Sequence, residues 1–188
     1  MGAAKAIAKA ANFAIHSTIV KGGKSKILQS IPAYNSAAQH QPWFVLIDLD
    51  NDFPCGAKAR QTWLPQPSSL MCFRIAVREI EAWLLADHDE ASKFLGVSKA
   101  LMPPQPEDVD DPKQLLVNLA RRSRKRDIRE GLVPRDGSGV NVGPTYASDI
   151  SNFSETNWRP EVARSLSPSL DKCLKRLEEL AQRLAVTP

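Results

Sequence analysis

The sequence predicts an α/β protein: a small, mostly parallel sheet followed by a helical C-terminal part. Two apolar runs predict the sheet. "WFVLI" (43–47) and "LMCFRIAV" (70–77) are continuous rather than alternating, as in strands covered on both faces. Segments of helical character alternate with them, the pattern of parallel α/β layers. After about residue 78 nothing reads as a strand, and apolar residues recur at helical spacing.

Taken in order, residues 3–14 read as an amphipathic helix and "HSTIV" (16–20), rich in β-branched residues, as a short strand. "KGGKSK" is a turn. Residues 25–39 read as a helix that Pro32 kinks or splits. "LPQPSS" is a loop between the two apolar strands, and "REIEAWLLADHDEASKFLG" is helical. "MPPQPEDVDDP" is a proline-rich loop that ends in an N-cap, Asp111, with Pro112 at the first helical position. Leu115, Leu116 and Leu119 form the apolar face of that helix. The Gly- and Pro-rich "PRDGSGVNVGP" (134–144) is a long loop, and 145–166 reads as short helices. Ser167-Pro168 opens a last helix with Leu170, Leu174, Leu177, Leu180 and Leu184 on one stripe.

A chain of 188 residues supports one domain, 1–188, divided into an α/β core (15–100) and a helical cap (101–188). Its 43% hydrophobic and 24% charged residues are those of a soluble globular protein. No apolar run approaches the ~20 residues of a membrane helix, so no membrane association is expected. The Ala/Lys-rich start lacks the long apolar core of a signal peptide. Cys55, Cys72 and Cys173 are odd in number and show no CxxC spacing, which points to a reducing, cytoplasmic setting. The net charge of +4 favours an anionic partner.

The chemistry concentrates where "WFVLI" runs into Asp48, Asp50 and Asp52. In a continuing strand, residues two apart share a face, so three like charges would crowd together. Either the strand has ended and the charges splay apart, or a cation sits between them. Ligand sites lie at the carboxyl ends of strands in open parallel sheets. A hard cation with oxygen ligands, Mg²⁺ or Mn²⁺, would resolve the crowding. A second acidic cluster, Glu79, Glu81 and Asp87, follows the second strand on the same edge, and the two clusters together could hold one or two metals. Acidic residues near a helix start also favour the macrodipole without any ligand. Glu81 is the candidate to join Asp48 and Asp50 as a catalytic and metal-ligating residue.

"RRSRKRDIR" (121–129) carries Arg121, Arg122, Arg124, Lys125, Arg126 and Arg129, a density that suits a phosphate backbone. No aromatic residue interleaves, so any binding would be weakly sequence-specific. A solvated helix face is the ordinary alternative. Lys24 and Lys113 join Arg121, Arg122, Arg124, Lys125 and Arg126 as candidate nucleic-acid contacts. "KGGKS" (21–25) matches only the end of a P-loop, because Thr18 stands where the first glycine is required. His16, His40 and His88 have no metal-ligand spacing, and no G-x-S-x-G elbow supports a serine hydrolase.

Several segments together, "GGKSKILQSIPAYNSAAQHQPWFVLIDLDND", "RIAVREIEAWLLAD", "DDPKQLLVNLARRSR" and "GPTYASDISNF", resemble a bacterial family of unknown function. That family is thought to carry a Toprim-like (topoisomerase–primase) fold with Rossmann-like layers, and its members are often encoded beside ATPases. Relatives include the nuclease domains of overcoming-lysogenization-defect-type phage-defence proteins. The resemblance implies a Mg²⁺- or Mn²⁺-dependent phosphodiester-cleaving domain, with Asp48 and Asp50 as the Asp-x-Asp and Glu81 as a further acidic ligand. It also implies a nucleic-acid substrate and an ATPase partner. The family's first strand and its Glu would precede the helix of residues 3–14, so on this reading the chain as given is impaired as a nuclease, with an open sheet edge that invites a homodimer.

Two other readings stand beside it. One is a non-catalytic module that binds nucleic acid or a partner. The other is a haloacid-dehalogenase-type phosphatase with Asp48 as nucleophile. That motif requires Thr or Val two residues after the second Asp, and Asp52 stands there instead.

Overall fold

The computed structural model describes residues 2–186. Ten α-helices and two strands follow in the order α1 (Gly2–Ala10), α2 (Lys24–Ala37), β1 (Trp43–Asp48), α3 (Gly56–Trp63), β2 (Met71–Ala76), α4 (Ile80–Leu85), α5 (His88–Leu95), α6 (Pro112–Arg121), α7 (Arg126–Leu132), α8 (Tyr146–Thr156), α9 (Pro160–Ala163) and α10 (Pro168–Val186). Short 3-10 turns lie at Lys99–Leu101 and Pro106–Asp108. The strands pair in parallel, from Trp43 opposite Met71 to Asp48 opposite Ala76.

The two apolar runs are strands because helices cover both of their faces. Val45 and Ile47 of β1, with Met71, Phe73 and Ile75 of β2, pack against Ile31 of α2 and Ala59 of α3. Phe44 and Leu46, with Cys72 and Ala76, face a larger core built from α1 and α4–α10. The order is therefore helices, sheet, helices. Asp48 shares the parity of Phe44 and Leu46, so its side chain belongs to the larger, helical side.

Local signals set the helix starts. Asp111 caps α6 by accepting the Gln114 N–H at 2.7 Å, with Pro112 following, as the sequence predicts. The predicted helix after β2 is broken instead at Asp87, which caps α5 by accepting the Glu90 N–H. Gly96, left-handed at φ 63°, ends that helix. The stripe Leu170, Leu174, Leu177 and Leu180 of α10 is fully buried.

The sheet is smaller than predicted. "HSTIV" is not a strand: residues 13–21 run as irregular chain, with Ile19 55% and Val20 68% exposed. Its β-branched residues carry the propensity, but no strand lies alongside to accept its backbone groups. The first helix ends at Ala10 rather than 14, and α2 continues through Pro32 without splitting. No strand follows β2 among the described residues.

Candidate functional site

The end of β1 divides the three aspartates. Asp48 is the last strand residue, and its Oδ1 accepts the backbone N–H of Ile80, the first residue of α4, at 2.9 Å. Two residues on, Asp50 adopts a left-handed backbone at φ 51° and its N–H donates to the Arg78 carbonyl. Asp50 and Asp52 both pair with the Lys24 ammonium from the first turn of α2, the latter at 2.6 Å. Lys24 also donates to the carbonyls of Asp48 and Leu49, each at 3.2 Å. Burial works against the Lys24 charge, but the two aspartates outweigh it and raise its pKa. The crowding is thus relieved in both of the anticipated ways: the strand has ended, and a cation sits between two of the carboxylates.

Asp48 keeps different company. Glu81 follows Ile80 on α4 and is only 6% exposed. The Lys113 ammonium on α6 lies 3.0 Å from Glu79 and 3.6 Å from Glu81, and the Lys113 N–H donates to the second Glu79 oxygen. The Tyr146 hydroxyl, at the start of α8, donates to Glu81 Oε1 at 2.9 Å. Ser169 steadies this corner: it accepts from the Trp83 indole and the Val77 N–H and donates to Glu107.

Electrostatics mark the pair. Burial, then the neighbouring Glu81 charge, pushes Asp48 up to about 7, although the Ile80 N–H and Lys113 oppose this. Burial likewise raises Glu81, against the pull of Lys113. Lys113 loses solvation by burial, but Glu81 and Glu79 more than restore its charge and raise its pKa. Tyr146 is raised by burial and then by Glu81. When all ionise, Asp48, Glu79 and Glu81 face one ammonium, leaving two negative charges uncompensated.

The structure therefore brings Asp48 and Glu81 together and places Asp50 with Asp52 on Lys24. Asp87, fully buried, receives both Nε and Nη2 of Arg159 and serves packing. Lys24 and Lys113, read from the sequence as nucleic-acid contacts, are engaged with carboxylates. Tyr146 was not visible as a site residue. It lies 65 positions from Glu81, and no local spacing announces the contact.

The basic run spans the junction of α6 and α7. Lys125 donates to the Lys93 and Phe94 carbonyls at the end of α5, and Arg126 pairs with Glu130 at 2.7 Å. Arg121, Arg122 and Arg124 are exposed and form no ion pair among the described residues. His88 bonds the Pro103 carbonyl, and His16 and His40 are exposed.

Among the described residues, no group of three or more His, Cys, Asp or Glu side chains is arranged to hold a metal, and no helix is long and apolar enough to cross a membrane. Asp48, Glu79 and Glu81, when all ionised, exceed the Lys113 ammonium by two charges, and Mg²⁺ commonly takes one or two protein carboxylates and keeps water and substrate phosphate as its other ligands. No family model, no curated protein and no solved structure matches this chain.

Proposed function

We propose that Asp48 and Glu81 hold a divalent cation, Mg²⁺ or Mn²⁺, in a Toprim-like, phosphodiester-cleaving domain. The observation that carries this reading is the gathering of three carboxylates, Asp48, Glu79 and Glu81, around the single Lys113 ammonium. The half-buried Asp48 stands at the carboxyl end of a parallel strand, where such sheets place ligands, and feels the charge of the buried Glu81. A cation bound there would polarise a phosphoryl oxygen and acidify a coordinated water. The chain's own groups do the positioning. The Ile80 N–H orients Asp48, the Tyr146 hydroxyl orients Glu81, and Glu79 holds Lys113 so that a fixed positive charge stands beside the pair. Asp50 takes no part in the pair, because Lys24 holds it.

The experiment is cleavage of labelled DNA and RNA with Mg²⁺ or Mn²⁺, comparing the chain with Asp48→Asn and Glu81→Gln. The reading requires metal-dependent cleavage that both substitutions abolish. Cleavage that survives both would refute it.

One observation favours a second reading, a non-catalytic module that binds nucleic acid or a partner protein such as an ATPase. Both acidic clusters already contain a lysine, Lys24 in one and Lys113 in the other, so each is partly neutralised without any metal. Binding of nucleic acid without metal, and no cleavage under any condition, is its signature.

A further inference from the structure

The run 121–130 contains six cationic and two anionic side chains, a net charge of +4. That equals the formal charge of the entire chain, so the remaining 178 residues carry no net charge. Within the run, Lys125 and Arg126 are occupied, and the Arg129 guanidinium donates to the Ser123 carbonyl. Arg121, Arg122 and Arg124 remain exposed and unpaired among the described residues. Helix α6 connects them to the acidic corner. Lys113 lies in its first turn against Glu79 and Glu81, and Arg121 is its last residue. Eight residues at a helical rise of 1.5 Å separate these two by about 12 Å.

We infer that Arg121, Arg122 and Arg124 grip the sugar–phosphate backbone of a nucleic-acid strand whose scissile phosphate lies at Asp48 and Glu81, with α6 as the spacer. This rests on the proposed function and names its substrate class. Phosphates of one strand rise about 3.4 Å per step, so the spacer corresponds to about four steps. Strands shorter than that reach only one end of α6. The run holds no aromatic residue on which bases could stack, so the grip reads backbone charge and not sequence.

Two measurements test this on the full chain and on the triple variant Arg121→Ala, Arg122→Ala, Arg124→Ala. The first is fluorescence anisotropy with labelled strands of about 4 and about 12 nucleotides, without added metal. The intact chain binds the longer strand about tenfold tighter or more, the variant does not distinguish the two lengths, and its salt dependence is flatter by about two units of slope. The second compares kcat/KM on the longer strand with kcat/KM on the small phosphodiester bis(4-nitrophenyl) phosphate. Their ratio falls about tenfold or more in the variant. Length-independent binding, or binding indifferent to the three arginines, overturns the grip whatever the cleavage result. An unchanged ratio overturns the spacing between grip and site. No cleavage of either substrate, with length- and arginine-dependent binding intact, overturns the hydrolase reading and leaves the grip standing. Tighter arginine-dependent binding to phosphatidylserine vesicles than to the longer strand overturns nucleic acid as the occupant.

Discussion

Asp48 accepts the backbone N–H of Ile80 at 2.9 Å, which ties the last residue of β1 to the first residue of α4 and sets Glu81 against the same carboxylate. One hydrogen bond from the α4 backbone to the Asp48 carboxylate thus fixes the strand end beside the residue that precedes Glu81.

The first consequence is a pH-dependent cost. Asp48 titrates at about 7 in the folded protein against an ordinary 3.8. At acid pH both folded and unfolded chains hold the proton. As pH rises between these values the unfolded chain releases it first, so stability falls through this window and levels off above about 7. The gap is worth at most about 4 kcal/mol. Asp48→Asn keeps the acceptor for Ile80 and removes the charge. It should stabilise the protein by about 1–4 kcal/mol near pH 8, with the gain vanishing toward pH 4. Urea unfolding across this range checks it, and a gain independent of pH would contradict it.

The Lys113 ammonium lies against Glu79 and Glu81, the cation beside the pair among the described residues. Lys113→Met should destabilise the protein by about 1–3 kcal/mol near pH 8, a figure discounted for the partial exposure of the ammonium. The loss should shrink near pH 5, where Asp48 holds its proton, and on addition of Mg²⁺. A loss of equal size under all three conditions would mean that Lys113 acts through packing of its stem.

Tyr146→Phe deletes only the hydroxyl that donates to Glu81. We expect a loss of about 1 kcal/mol in stability and weaker Mn²⁺ binding by a few-fold, because Glu81 loses its orienting partner. Unchanged Mn²⁺ affinity would remove Tyr146 from the site.

Arg159→Ala strips the fully buried Asp87 of its bidentate partner. The melting temperature should drop by more than about 5 °C, while Mn²⁺ binding by the protein that remains folded stays as it was. A selective loss of metal binding would instead place Asp87 in the site.

The sheet was legible in the sequence where burial on both faces writes a continuous apolar run, as in 43–47 and 70–77. It was misread at 16–20, where β-branched residues carry strand propensity but the chain provides no neighbouring strand. Helix α3 went unread because only Ala59 is buried along it, which leaves no apolar stripe. Asp48 and Glu81 could be named as site candidates because both flank strand ends in a parallel sheet. The departure of Asp50 could not be foreseen, since it depends on one left-handed backbone angle and on Lys24, which lies 26 positions earlier. Lys113 was read as a cation for nucleic acid, and its contact with Glu79 joins residues 34 positions apart that only the packing of α6 against α4 brings together.

The central claim is that Asp48 and Glu81 form a divalent-cation site, and metal binding tests it more directly than turnover does. The measurement is a Mn²⁺ titration of the intact chain followed by electron paramagnetic resonance of the free ion, at about pH 8 and about pH 5.5. The account predicts one bound Mn²⁺ per chain at the higher pH. It predicts affinity weaker by about tenfold or more at the lower pH, where Asp48 holds its proton, and similar losses in Asp48→Asn and Glu81→Gln but not in Asp52→Asn. Equal Mn²⁺ binding by the intact chain and by both Asp48→Asn and Glu81→Gln, or no binding by the intact chain at millimolar Mn²⁺, would contradict it.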